Sequence, residues 1–121
     1  MRVTVRALAA VFSIAGTVAL GAQQPSPMTW PGGHHADHLH PLGWISSACH
    51  IEVPAAVGNG REGWLKFGEP GIATLPRLTA EHFVKPKAGS LVLFPSYMWH
   101  GTVPFSGAEP RLSAAFDVLP A

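Results

Sequence analysis

Ser90-Leu91-Val92-Leu93-Phe94-Pro95-Ser96-Tyr97-Met98-Trp99-His100-Gly101 decides the fold class of this chain. Its apolar run is too short for a helix of ordinary length, and Pro95 interrupts it. A second apolar stretch then resumes at Met98 and ends in a histidine followed by glycine. Two strands joined by a tight turn satisfy this pattern. Working outward, further strands are predicted at 43–53, 63–67 and 111–118, beside those at 90–94 and 98–103. Turn-rich stretches such as Gly58-Asn59-Gly60 and Pro70-Gly71 separate them. The fold class is all-β, a sandwich or barrel. One helical turn is predicted at Thr79-Ala80-Glu81-His82-Phe83, with Thr79 as its cap and Pro86 limiting its length.

With 121 residues, 47% hydrophobic and 12% charged, the chain can bury one core, and its length sets one compact domain as the ceiling. Residues 1–22 read as a secretory signal: Arg2 and Arg6 form a basic start, Ala7 to Leu20 an apolar stretch, and Ala19-Leu20-Gly21-Ala22 a small-residue cleavage region. That stretch is short for a bilayer span of about 20 residues, so export to a secreted or periplasmic location is expected rather than a stable membrane anchor. A cytoplasmic protein with an uncleaved N-terminus is the alternative. Residues 23–30 form a lead-in linker, and 31–121 the domain. After the leader, six Lys and Arg stand against seven Asp and Glu without a basic run, which argues against a nucleic-acid partner. Cys49, the only cysteine, excludes an intramolecular disulfide and reads as a small buried hydrophobe.

The chemistry concentrates in three places. His38 and His40, two apart on an extended segment, project to the same side and can reach one ion, although the surrounding Gly33-to-His40 stretch also suits a polar loop. His100 can add a third imidazole. Taken alone, it reads as a structural histidine rather than a ligand. Arg111 and Ser113 share one face of the strand 111–118 with Ala115 and Asp117, where a guanidinium and a hydroxyl can clamp a carboxylate. The bland reading pairs Arg111 with Asp117 or Glu109. Three imidazoles for a metal and a fork for a carboxylate suggest an iron enzyme with an organic-acid cosubstrate. Trp44, Trp64 and Trp99 read as core residues, His50 and His82 as structural or exposed, and Glu69 as a turn residue rather than a carboxylate near the metal.

The run Pro86-Lys87-Ala88-Gly89 through His100-Gly101, followed by Arg111-Leu112-Ser113, resembles the C-terminal half of the 2-oxoglutarate and Fe(II)-dependent oxygenases, in the branch often attached to tetratricopeptide repeats. His38-Leu39-His40-Pro41-Leu42-Gly43-Trp44 resembles the same branch. The resemblance covers about residues 31 to 120 and implies a double-stranded β-helix, or jelly roll. It implies Fe(II) held by His38, His40 and His100, with Arg111, assisted by Ser113, binding the far carboxylate of 2-oxoglutarate. The implied reaction hydroxylates an unknown substrate and releases succinate and CO2.

Two departures accompany the resemblance. The superfamily places a carboxylate two residues after its first histidine, and His40 occupies that place here. His35-Ala36-Asp37 spells the expected pattern, but the match through Pro41-Leu42-Gly43-Trp44 favours His38 and His40. The second departure is that the leader occupies the region where such domains carry helices and strands. A jelly roll truncated at its N-terminal edge is therefore expected, with unpaired strands that favour a homodimer. The competing readings are a non-catalytic metal-binding β-sandwich and a cupin-like protein that does not use 2-oxoglutarate.

Overall fold

The computed structural model describes residues 10–13, 33–58, 60–107 and 109–120. The strands are β1 (Ala10–Ser13), β2 (Ile45–Glu52), β3 (Leu65–Phe67), β4 (His82–Val84), β5 (Ser90–Pro95), β6 (His100–Thr102), β7 (Leu112–Ala115) and β8 (Asp117–Val118). They form two antiparallel sheets. One runs β1-β7-β2-β5, with β8 also pairing β2, and the other runs β4-β3-β6. Among the described residues there is no helix, and the arrangement is that of a jelly roll. Most of the expected signal segment lies outside the described residues; its residues Ala10–Ser13 pair with β7.

The core joins the sheets. Leu65 and Phe67 from β3 meet Phe94 from β5, with Ala48, Val84, Val92 and Met98 packed around them. The Phe67 and Phe94 rings meet edge to face at 5.0 Å between centroids, an arrangement favoured by the aromatic quadrupole. On β5 the alternation of the pleat sends Phe94 inward and leaves Leu91 and Leu93 half exposed.

Three expectations are corrected. The segment expected as a helical turn at Thr79–Phe83 is extended: Glu81 donates its amide to Phe67, and His82 and Phe83 enter β4 against β3. Pairing with β3 supplies those backbone groups with partners that one isolated helical turn could not. Trp44 is half exposed rather than a core residue, because it lies ahead of β2 at the rim of the sheet. The predicted strand 111–118 is divided at Phe116. There Ser47, opposite it on β2, donates its hydroxyl to the Phe116 carbonyl (2.9 Å) and accepts the Phe116 amide (2.8 Å), so a side chain replaces the ladder for one residue.

Candidate metal and cosubstrate site

The segment bearing His38 and His40 is laid along β6. His38 and His100 exchange two backbone hydrogen bonds of 2.9 Å, the His40 amide donates to Ser96, and the Thr102 amide donates to His35. Gly101 permits this approach, since a Cβ there would collide with the Asp37 carboxylate and sit 2.9 Å from the His35 carbonyl. Pairing two short segments brings residues 62 positions apart in sequence into one cluster. The ring centroids of His38 and His100 are 4.3 Å apart, those of His38 and His40 5.0 Å, and those of His40 and His100 5.2 Å.

Hydrogen bonding settles the tautomer of each ring. His38 Nδ1 faces the Ala36 carbonyl at 2.8 Å and His100 Nδ1 the Met98 carbonyl at 2.9 Å. A carbonyl can only accept, so each Nδ1 carries a proton, and in the neutral ring it is Nε2 that bears the lone pair. His40 Nδ1 likewise donates to Asp117 Oδ2 at 2.6 Å. One possible ligand atom from each of the three histidines lies within 4.8 Å of the other two. Burial, with His38 and His40 as neighbours, lowers His100 to about 4, even though its bond to Met98 pulls the other way. It therefore stays neutral at physiological pH, as a metal-binding imidazole must. Three convergent imidazoles, each with a nitrogen to offer, fit a borderline divalent metal such as Fe(II) or Zn(II).

Asp117 was missed as a functional residue in the sequence, where it figured only as a partner for Arg111. Its carboxylate accepts from His40 through Oδ2 and from the Ser46 hydroxyl through Oδ1 at 2.6 Å. Ser46 lies 2.9 Å from the hydroxyl of Ser96, which is fully buried. The carboxylate is thus anchored on one side and orients an imidazole on the other, the arrangement that outer-shell carboxylates adopt behind metal-binding histidines. The negative charge absent from position 40 is restored one hydrogen bond further out.

Arg111, placed just before β7, is 2% exposed. Its Nη1 donates to the Gly63 carbonyl at 2.6 Å and its Nη2 to His50 Nδ1 at 3.3 Å. It does not pair with Asp117 or Glu109; Glu109 accepts the Ala55 amide instead. Arg111, Ser113, Ala115 and Asp117 line a cavity of about 470 Å3, together with His38, His40 and His100. Leu65, Phe94 and Phe116 supply apolar wall. His50 also lines it at 1% exposure, and burial followed by the charge of Arg111 lowers its pKa to about 4. With no recognisable spacing to any other histidine, its part in the cavity had no signal in the sequence beyond its place on a strand.

The H-x-D alternative falls elsewhere. Asp37 Oδ2 accepts from Lys66 at 2.8 Å, and Lys66 also donates to Glu69 at 2.6 Å. Burial alone would lower Lys66, but these two carboxylates outweigh it and raise its pKa. Asp37 and Glu69 therefore serve an ion-pair network rather than the histidine cluster. Cys49 is half-buried and unbridged.

A comparison with curated proteins found no match. Residues 27–117 match the family described as "Putative 2OG-Fe(II) oxygenase", a stretch that spans the histidine cluster, the buried arginine and strands β2 to β7, and the chain belongs to that family.

Proposed function

We propose that the chain is an Fe(II)- and 2-oxoglutarate-dependent dioxygenase, exported by its N-terminal segment, that hydroxylates a substrate bound at the mouth of the cavity. The observation that carries this reading is the shared cavity, which has three convergent imidazoles and a buried guanidinium with a hydroxyl on its lining. His38, His40 and His100 would hold the iron. Iron bound there supplies O2 activation coupled to oxidative decarboxylation of the cosubstrate to succinate and CO2. Arg111 and Ser113 orient the far carboxylate of 2-oxoglutarate through charge-assisted hydrogen bonds. Leu65, Phe94 and Phe116 give the cavity apolar wall that excludes water and strengthens those bonds by lowering the local dielectric. Asp117 holds the His40 ring and offsets positive charge at the ligand cluster.

The all-histidine ligand set favours a second reading, a cupin-like metalloprotein that binds iron without 2-oxoglutarate. Anaerobic visible absorption separates the two. The chain from Gln23 onward is titrated with Fe(II) and then 2-oxoglutarate, beside His100→Ala and Arg111→Ala. A metal-to-ketoacid charge-transfer band that is lost or weakened in both variants supports the dioxygenase. A folded, iron-loaded parent without the band would refute it.

A further inference from the structure

The hydroxyls behind Asp117 form a chain with a direction. A carboxylate only accepts, so the Ser46 hydroxyl commits its one proton to Asp117 Oδ1 at 2.6 Å. In its second contact, 2.9 Å from Ser96 Oγ, the Ser46 oxygen must then be the acceptor and Ser96 the donor. The protons therefore run from Ser96 to Ser46 to Asp117, while the His40 ring donates to the same carboxylate from the other side at 2.6 Å. Hydroxyls that accept and donate in series polarise one another, so the Ser96 proton strengthens the bond that Ser46 makes to the carboxylate. Ser46 is 2% exposed and Ser96 0%, so bulk water does not compete for either hydroxyl.

Ser96 also holds the backbone that carries His40. Its carbonyl accepts the His40 amide at 2.9 Å, and its amide donates to the Trp44 carbonyl at 3.1 Å. Between those two contacts the chain turns through Pro41 and Leu42, closed by the Gly43 amide on the His40 carbonyl at 3.2 Å. The turn passes so close to Ser96 that a Cβ on Gly43 would lie 2.5 Å from Ser96 Oγ and 2.9 Å from its Cβ. We infer that Ser96 is a positioning residue for His40. Its main chain fixes where the imidazole is rooted, and its hydroxyl, through Ser46 and Asp117, fixes where the ring points. The inference rests on the proposed reading of His40 as a metal ligand. It adds a residue that lies between the predicted strands 90–94 and 98–103, does not line the cavity, and has no spacing to mark it.

The test compares the full chain with S46A, S96A, S96T and the S46A/S96A double variant, each checked for folding by thermal unfolding. The His40 Nδ1–H resonance is followed by 1H NMR without metal, and Zn(II) affinity is measured by competition against a chromophoric chelator. In S96A the His40 resonance should shift or broaden, while those of His38 and His100, whose Nδ1 protons rest on backbone carbonyls, stay in place. Zn(II) should bind about two- to tenfold more weakly in S96A, the effect of losing one hydrogen bond. S96T keeps the hydroxyl and should restore both readouts. Because Ser96 acts through Ser46, adding S96A to S46A should bring no further loss of affinity. A folded S96A with the parent's resonance and affinity, or losses in S46A and S96A that add, would overturn the inference. A parent without Zn(II) affinity removes the reading of His40 as a ligand, and the inference with it. A parent that binds Zn(II) beside an unaffected S96A removes Ser96 alone.

Discussion

Replacing Asp117 probes the feature that separates this site from a two-histidine, one-carboxylate centre. Its carboxylate makes two bonds of 2.6 Å, to the His40 ring and to Ser46. Ser46 reaches Ser96, so the carboxylate is braced from behind. Asp117→Ala frees the His40 ring and removes a negative charge adjacent to the ligand cluster. Loss of such an outer-shell partner typically weakens metal binding by about 10- to 100-fold, equivalent to about 1.4–2.8 kcal/mol. The fold should lose less, about 1 kcal/mol, because Ser46 can keep its bond to Ser96. Asp117→Asn retains an acceptor for His40 without the charge and belongs at the lower end of the range. Anaerobic competition for Fe(II) against a chromophoric chelator gives the affinity, with Ser113→Ala as the control expected to match the parent. A folded Asp117→Ala that binds iron as tightly as the parent would refute the idea that this carboxylate orients and charges the site.

Acid should destabilise the fold through His50. Its pKa is about 4 in the fold against an ordinary 6.5, so the folded state binds fewer protons between those values. Stability is intact above 6.5 and falls by about 3 kcal/mol for this group as pH drops toward 4. Urea unfolding at pH 7 and pH 4.5 should show a smaller difference in H50Q than in the parent, and an equal difference would count against a buried neutral ring. Gly101→Ala forces a methyl against the Asp37 carboxylate and the His35 carbonyl, which should cost about 1–3 kcal/mol and loosen the His38–His100 pairing. Thermal unfolding and iron affinity should both fall, and a fall in stability alone would separate the backbone approach from the metal site. Phe67→Ala removes the ring that packs on Phe94 in the core, at about 3–5 kcal/mol by chemical denaturation.

Sequence determined much of this protein by itself. Short apolar runs cut by Pro and Gly excluded long helices, and five strand positions followed from them because strand periodicity is a local property of the chain. The alternation of Arg111, Ser113, Ala115 and Asp117 on one face also followed, since the pleat has a period of two. Even the division at Phe116 left that alternation unchanged, because a side chain filled the gap without shifting the register. What only the tertiary structure decided depends on residues far apart in sequence. Extended backbone at His82–Val84 is stabilised by β3, not by its own residues. Asp117 lies behind His40 although 77 positions separate them, and His50 lies against Arg111 across 61 positions. Tautomer, burial and the direction of a free N–H are properties of such pairings. They are set by which carbonyl or guanidinium the fold places against a ring, and the order of residues along the chain carries no local trace of that.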